Sequence, residues 1–140
     1  MAGMDESGAV HHLELWVEDL EVAEQEWGWL LQRLGYRLKD RWEQGISWSR
    51  FGLYVVLESG PAVLSGRHDR LRAGLNHLAF HAGTEQFVEA MATEAPAHGW
   101  TVLFPDRHPH AGGAAHYAAY LASTSGFEVE LVAQRLPSTG

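Results

Sequence analysis

The sequence predicts an α+β fold made of two βαβββ modules, and three observations carry that prediction. First, the chain repeats itself: HLELWVEDLEVAEQEWGWLLQRLGY (12–36) and HLAFHAGTEQFVEAMATEAPAHGW (77–100) each open with His-Leu and a short alternating apolar run. Each continues into a stretch of helical periodicity and closes on Gly followed by an aromatic. Second, each copy later reaches an apolar strand-like run holding a glutamate, LYVVLES with Glu58 and FEVELVA with Glu130. Third, the hydrophobic period changes from two to 3.6 and back at the same points in both copies.

The elements follow in order. Residues 10–17 alternate as a strand. Asp19 suits a helix N-cap, and Leu20, Ala23, Trp27, Leu30, Leu31 and Leu34 keep helical spacing until Gly35. Strand-like runs follow at about 36–42, 46–51 and 53–58. The second copy offers a strand at 75–82 and a helix from about Thr84, with Phe87, Val88, Met91 and Ala95 facing inward. Its later strands fall near 100–104, 115–122 and 127–133. The chain thus reads as one domain, with module 10–59 and module 75–133 joined by a linker over 60–74 rich in Gly, Ser and charge. The end QRLPSTG is expected to fray. Each sheet has one face for its helix and a second face still to be covered. Curling the two together into a half-open barrel with a central cleft is the economical arrangement.

Composition narrows the function. The chain has 140 residues, 46% of them hydrophobic and 20% charged, as expected of a globular domain with a real core. It has no cysteine, which excludes disulfides, thiolate metal sites and cysteine nucleophiles. A formal net charge of −8 without a basic stripe argues against nucleic acid and anionic membranes as partners. No apolar run approaches membrane-spanning length, and MAGMDESGAV lacks the pattern of a secretory signal, so a cytoplasmic location is expected. Nine histidines and six tryptophans are many for this length. Trp27, Trp29, Trp42, Trp48 and Trp100 read as packing residues, and Trp16 as a pocket residue.

Strand alternation sorts the chemistry-bearing residues. Leu13, Leu15 and Val17 share one face of the first strand and should meet the helix, which turns His12, Glu14 and Trp16 to the cleft. His11 then points the other way. The same rule turns Tyr54, Val56 and Glu58, then His77, Ala79 and His81, and then Glu128 and Glu130 to the cleft. His12, Glu58, His77 and Glu130 are therefore the candidate ligands of one divalent transition metal, Zn, Ni, Co, Mn or Fe. The bland reading makes the histidines hydrogen-bonded cleft residues and the glutamates solvated strand charges. Occurrence of all four at repeat-matched positions favours the metal.

HHLELWVEDLEVA, GLNHLAFHAG and GFEVELVA together resemble the vicinal oxygen chelate superfamily, which includes glyoxalase I, extradiol dioxygenases, and fosfomycin- and bleomycin-resistance proteins. The resemblance spans about residues 10–133. It implies the duplicated βαβββ fold with a metal at the module junction. A full His-Glu-His-Glu set resembles the glyoxalase I branch most, a lyase or isomerase acting on a small oxygenated substrate through a metal-stabilised enediolate or oxyanion. Two histidines and one glutamate would instead suit a dioxygenase or thiol transferase. Loss of the metal set would suit a protein that sequesters a small molecule such as an antibiotic. Relatives are commonly homodimers. Glu58 or Glu130 is the expected base. The segment FPDRHPHAGGAAHYAAY is expected to form a flap, with His116, Tyr117 or Tyr120 hydrogen-bonding the substrate; a solvated loop or a second metal site are its other readings. RHDRLR (67–72) is expected to be an exposed linker helix or turn, with anchoring of an acidic ligand group as the lesser alternative.

Overall fold

A computed structural model describes residues 5–134. Residues 135–140, most of the segment expected to fray, lie outside the described residues. The chain divides into two compact units with the boundary after Ser65, and each is α+β.

The first unit runs β1 (His12–Trp16), α1 (Leu20–Arg33), β2 (Arg37–Trp42), β3 (Gly45–Arg50) and β4 (Leu53–Glu58). Its sheet has the order β1-β4-β3-β2. β1 runs parallel to β4, as a crossover through α1 requires, while the tight turns after β2 and β3 make the other pairs antiparallel. Asp19 caps α1 by accepting from Val22 N at 3.2 Å, a contact worth about 1 kcal/mol in such positions. Ala23, Trp27, Leu30 and Leu31 are buried along the face of α1 that meets β3 and β4, where Ile46, Trp48, Val55 and Leu57 receive them. Each large side chain so buried contributes roughly 1.5–3 kcal/mol. Every residue of β2 is exposed, so Trp42, expected in the core, lies 39% exposed on the outer strand instead. Its indole N–H donates to Glu58 at 3.2 Å.

The second unit runs β5 (Leu78–His81), α2 (Glu85–Glu94), a 3₁₀ turn (Ala95–His98), β6 (Thr101–Leu103), β7 (Ala118–Ala122) and β8 (Glu128–Val132). Its sheet order, β5-β8-β7-β6, repeats that of the first unit. Thr84 caps α2 through Phe87 N at 3.0 Å. Pro96 lacks the N–H that a further α-helical turn would use, and the chain tightens there into the 3₁₀ turn. Val88, Met91, Ala95, Trp100, Leu121 and Leu131 form the core. β7 begins at Ala118 rather than near 115, because residues 104–117 are held in successive turns.

The linker carries neither helix nor strand between Ser59 and His77, yet its later part is tied down. His68 N donates to Ser125 O at 2.8 Å, its Nε2–H donates to Leu75 O at 2.9 Å, and its ring stacks on Phe127 with centroids 4.6 Å apart. Gly126 is required beneath it: φ is +92°, and a Cβ there would lie 2.0 Å from His68 O.

Candidate functional site around Glu130

Parallel pairing of β5 with β8 sets Leu78 opposite Val129 and Ala79 opposite Glu130. The alternation that buries Val129 and Leu131 against the helix sends Glu128 and Glu130 to the opposite face, beside His77. Both carboxylates are buried, Glu128 at 5% exposure and Glu130 at 6%. Such groups need a cation, a proton or several donors beside them.

Glu130 has imidazoles on both oxygens. His77 Nε2 lies 3.1 Å from Oε1, and His116 Nε2 makes a short contact with Oε2. Tyr120 stands opposite Glu130 in the antiparallel β7–β8 pair, with its ring edge-on to His77 at 6.2 Å. Burial, then the charge of Glu130 and a hydrogen bond to it, hold the Tyr120 hydroxyl above the usual phenol range. Gly112 brings the loop against this group: a Cβ at Gly112 would lie 2.6 Å from the Tyr120 hydroxyl oxygen and 2.7 Å from His116 Cδ2. The structure therefore brings together His77, Glu130, His116 and Tyr120.

Two residues outside the expected set complete the surroundings. Asn76 Nδ2 donates to Arg70 O at 3.0 Å, which orients its amide, and Asn76 Oδ1 then faces His77 Nδ1 at 2.7 Å. An amide oxygen only accepts, so His77 Nδ1 carries the hydrogen. In the neutral ring Nε2 then presents a lone pair to the carboxylate, and two acceptors 3.1 Å apart require a proton or a cation between them. Two cis donors on a cation with bonds of about 2.1 Å are separated by about 3.0–3.4 Å, so His77 and Glu130 fit as two ligands. Arg70 Nη1 stands 3.0 Å from Glu128 Oε1, an ion-pair contact in which that oxygen gains no aligned hydrogen bond. Arg70 of the segment RHDRLR is thus engaged by a carboxylate of the chain itself. Asn76 was legible only as the residue before His77; its role depends on a linker fold that no periodicity encodes.

In the first unit the expected donors do not share a register position. His12 is opposite Tyr54, and their rings stack with centroids 4.8 Å apart. Glu58 is opposite Trp16, four positions further along, or about 13 Å at 3.3 Å per residue. The position corresponding to Glu130 is Val56: Leu13 pairs with Val55 as Leu78 pairs with Val129, so Val56 and Glu130 are the next residues in matched registers. His11, expected to point away, instead places Nδ1 2.9 Å from His12 Nδ1. It precedes β1, where pleating does not govern its direction. Among the described residues no group of three or more His, Cys, Asp or Glu side chains is arranged to hold a metal ion. No helix among them is long and apolar enough to cross a membrane.

Beside His116 opens a cavity of about 540 Å³ lined by His81, Glu85, His110, His116, Tyr117 and Val132. His81, at the end of β5, therefore faces this cavity. The loop above it is compact, with His110 Nδ1–H donating to His116 O at 3.1 Å and Ala118 N to Pro109 O at 3.0 Å.

Comparison with known proteins gives one answer. Residues 11–120 match the family model of the glyoxalase/bleomycin resistance protein/dioxygenase superfamily. The uncharacterised protein YqjT of Bacillus subtilis is 44% identical over 125 residues, covering 89% of this chain and 98% of that protein. A Bacillus halodurans protein whose crystal structure bears a provisional glyoxalase designation is 36% identical with a TM-score of 0.87, over 92% of this chain and 98% of that one. The lactoylglutathione lyase of Agrobacterium tumefaciens, 18% identical with a TM-score of 0.63 over 92% of this chain and 96% of its own, shares the fold. With the duplicated βαβββ topology and a family match over most of its length, the chain belongs to the glyoxalase/bleomycin resistance protein/dioxygenase superfamily.

Proposed function

We propose that this chain is a metal-dependent enzyme, a lyase or isomerase of the glyoxalase kind that moves a proton on a small oxygenated substrate. The observation that carries the reading is the buried Glu130 carboxylate with His77 on one oxygen and His116 on the other. His77 and Glu130 would hold one divalent cation, Zn, Ni, Co, Mn or Fe, and His12, the repeat counterpart of His77, would be the third ligand. Glu58 is not part of the proposed set; its place opposite Trp16, four positions from the partner of His12, supports leaving it out. When bound, the cation supplies Lewis-acid polarisation of substrate oxygens.

The residues of the chain divide the remaining work. Asn76 keeps the hydrogen of His77 on Nδ1 and so leaves Nε2 for ligation. Glu130 Oε2, on the side away from His77, is the oxygen that takes a proton from substrate carbon, and His116 beside it receives or returns that proton. Tyr120, held in its neutral form, donates a hydrogen bond to a substrate oxygen. Module 10–59 and module 75–133 are proposed to act as one domain, in a cytoplasmic homodimer. The exposed apolar side chains of β2, Leu38 and Trp42, support association of chains.

Elemental analysis of the purified chain tests this. About one transition metal per chain is expected, with both the metal and turnover of a 2-oxoaldehyde-type substrate lost in Glu130→Gln. Metal content unchanged in that variant overturns the assignment. A second reading is favoured by Val56, since two histidines and one glutamate suit a ring-cleaving dioxygenase or a thiol transferase. Oxygen uptake with a catechol substrate, measured at an electrode, would establish the dioxygenase.

A further inference from the structure

Residues 108–117 begin and end on one atom of helix α2. His108 Nε2–H donates to Glu89 Oε1 at 2.7 Å, and the Tyr117 hydroxyl donates to the same oxygen at 2.8 Å. Between those ends the chain is closed upon itself by Gly113 N to His110 O and His116 N to Gly113 O, both 3.0 Å. His110 and Tyr117 also meet edge to face, centroids 5.6 Å apart. A loop whose ends converge and whose side chains pack on one another moves as a unit, so its attachment decides where its residues lie. Tyr117 follows His116 directly; its carbonyl accepts from Ala133 N at 2.9 Å, which fixes the backbone at the start of β7, while its side chain ties the loop to α2 through Glu89.

We propose that Glu89 is a positioning residue, which clamps both ends of the 108–117 loop to α2 and thereby holds His116 against Glu130. Glu89 has no contact with the Glu130 group; it acts through the loop. The inference rests on the proposed function only in giving His116 a task, and its test reads the loop rather than turnover.

The test is histidine carbethoxylation by diethyl pyrocarbonate, followed residue by residue by mass spectrometry in the full chain. Tyr117 ionisation is followed in parallel by ultraviolet difference absorbance. In Glu89→Ala the modification rate of His116 should rise about fivefold, the factor by which one ordinary side-chain hydrogen bond biases an equilibrium, while His11 stays unchanged. The alkaline midpoint of Tyr117 should fall from about 12 towards 10, since Glu89 contributes to its elevation after burial. If Glu89→Ala does not fold, the double variant Tyr117→Phe with His108→Ala must give the same rise at His116. An unchanged rate at His116 with a lowered Tyr117 midpoint shows the clamp broken without consequence and overturns the proposal. So does a Tyr117 midpoint that does not move. Protection of His116 lost in these variants of a chain that binds no metal would retain the clamp while removing the proposed function.

Discussion

Val56 stands in the first module where Glu130 stands in the second, each one residue beyond the partner of a leucine that follows the module's leading histidine. One carboxylate, then, where a symmetric duplication would have two. Glu58 lies two positions further along its strand and accepts from the Trp42 indole. Glu58→Gln should therefore leave metal stoichiometry within error of the parent, whereas His77→Ala and Glu130→Gln should lose most of it. Elemental analysis of the three proteins checks this.

Asn76 offers a sharper test of the same centre. Replacing it with Ala frees His77 Nδ1 and allows the ring to rotate or to place its hydrogen on Nε2. Removal of such an outer hydrogen bond typically costs about 10–100-fold in metal affinity. Competition with a metallochromic chelator should show a loss of that size, with thermal stability of the metal-free chain little changed.

Arg70 and Glu128 make a prediction about stability. Glu128 is buried, and Arg70→Met would leave its charge with His77 Nδ1, 3.6 Å away, as the nearest ionisable partner. The expected cost is about 1–3 kcal/mol, the penalty for a buried group deprived of its partner. Arg70→Met with Glu128→Gln should recover most of it, since the second change removes the uncompensated charge. Urea denaturation of the parent, single and double variants closes the cycle.

Tyr117 gives a pH dependence whose sign is determined. Burial and the neighbouring Glu89 raise its phenol to about 12, above the ordinary 10 of the unfolded chain. A folded-state value above the unfolded one means stability fully present below pH 10 and lost as pH rises through about 12. Between those values the parent should lose stability more steeply than Tyr117→Phe, a difference readable in melting temperatures taken across that window.

Gly112 is a steric prediction. Its backbone needs no left-handed conformation, but an alanine methyl would press on the Tyr120 hydroxyl and the His116 ring at once. Gly112→Ala should displace His116 from Glu130 and lower turnover while changing the melting temperature little, because the loop can yield where the core cannot. Steady-state assay beside calorimetry separates the two effects.

Much of this was readable from residue order. Asp19 as a cap, the start of the second helix near Thr84, the buried faces of both helices, and the sheet faces of His77 and Glu130 all follow from local periodicity and pleating. His116 and Tyr120, singled out in the sequence, both lie at Glu130. Glu58 lies two positions beyond the register match of Glu130, and counting along a sequence cannot say which residue of β4 meets which residue of β1. A slip of two preserves the face and moves the side chain by about 7 Å. Trp42 was misassigned because hydrophobicity does not reveal that β2 is an outer strand.

Sequence alone determined the two modules, their element types and the strand faces on which the imidazoles and carboxylates lie, since those depend on neighbours within a few residues. Tertiary structure decided the pairing register that leaves Val56 opposite its own histidine strand and the linker contacts that bring Asn76 and Arg70 to His77 and Glu128. It also decided that one oxygen of Glu89 gathers both ends of a loop. Those are contacts between residues distant in the chain, set by packing and hydrogen-bond geometry rather than by any local preference.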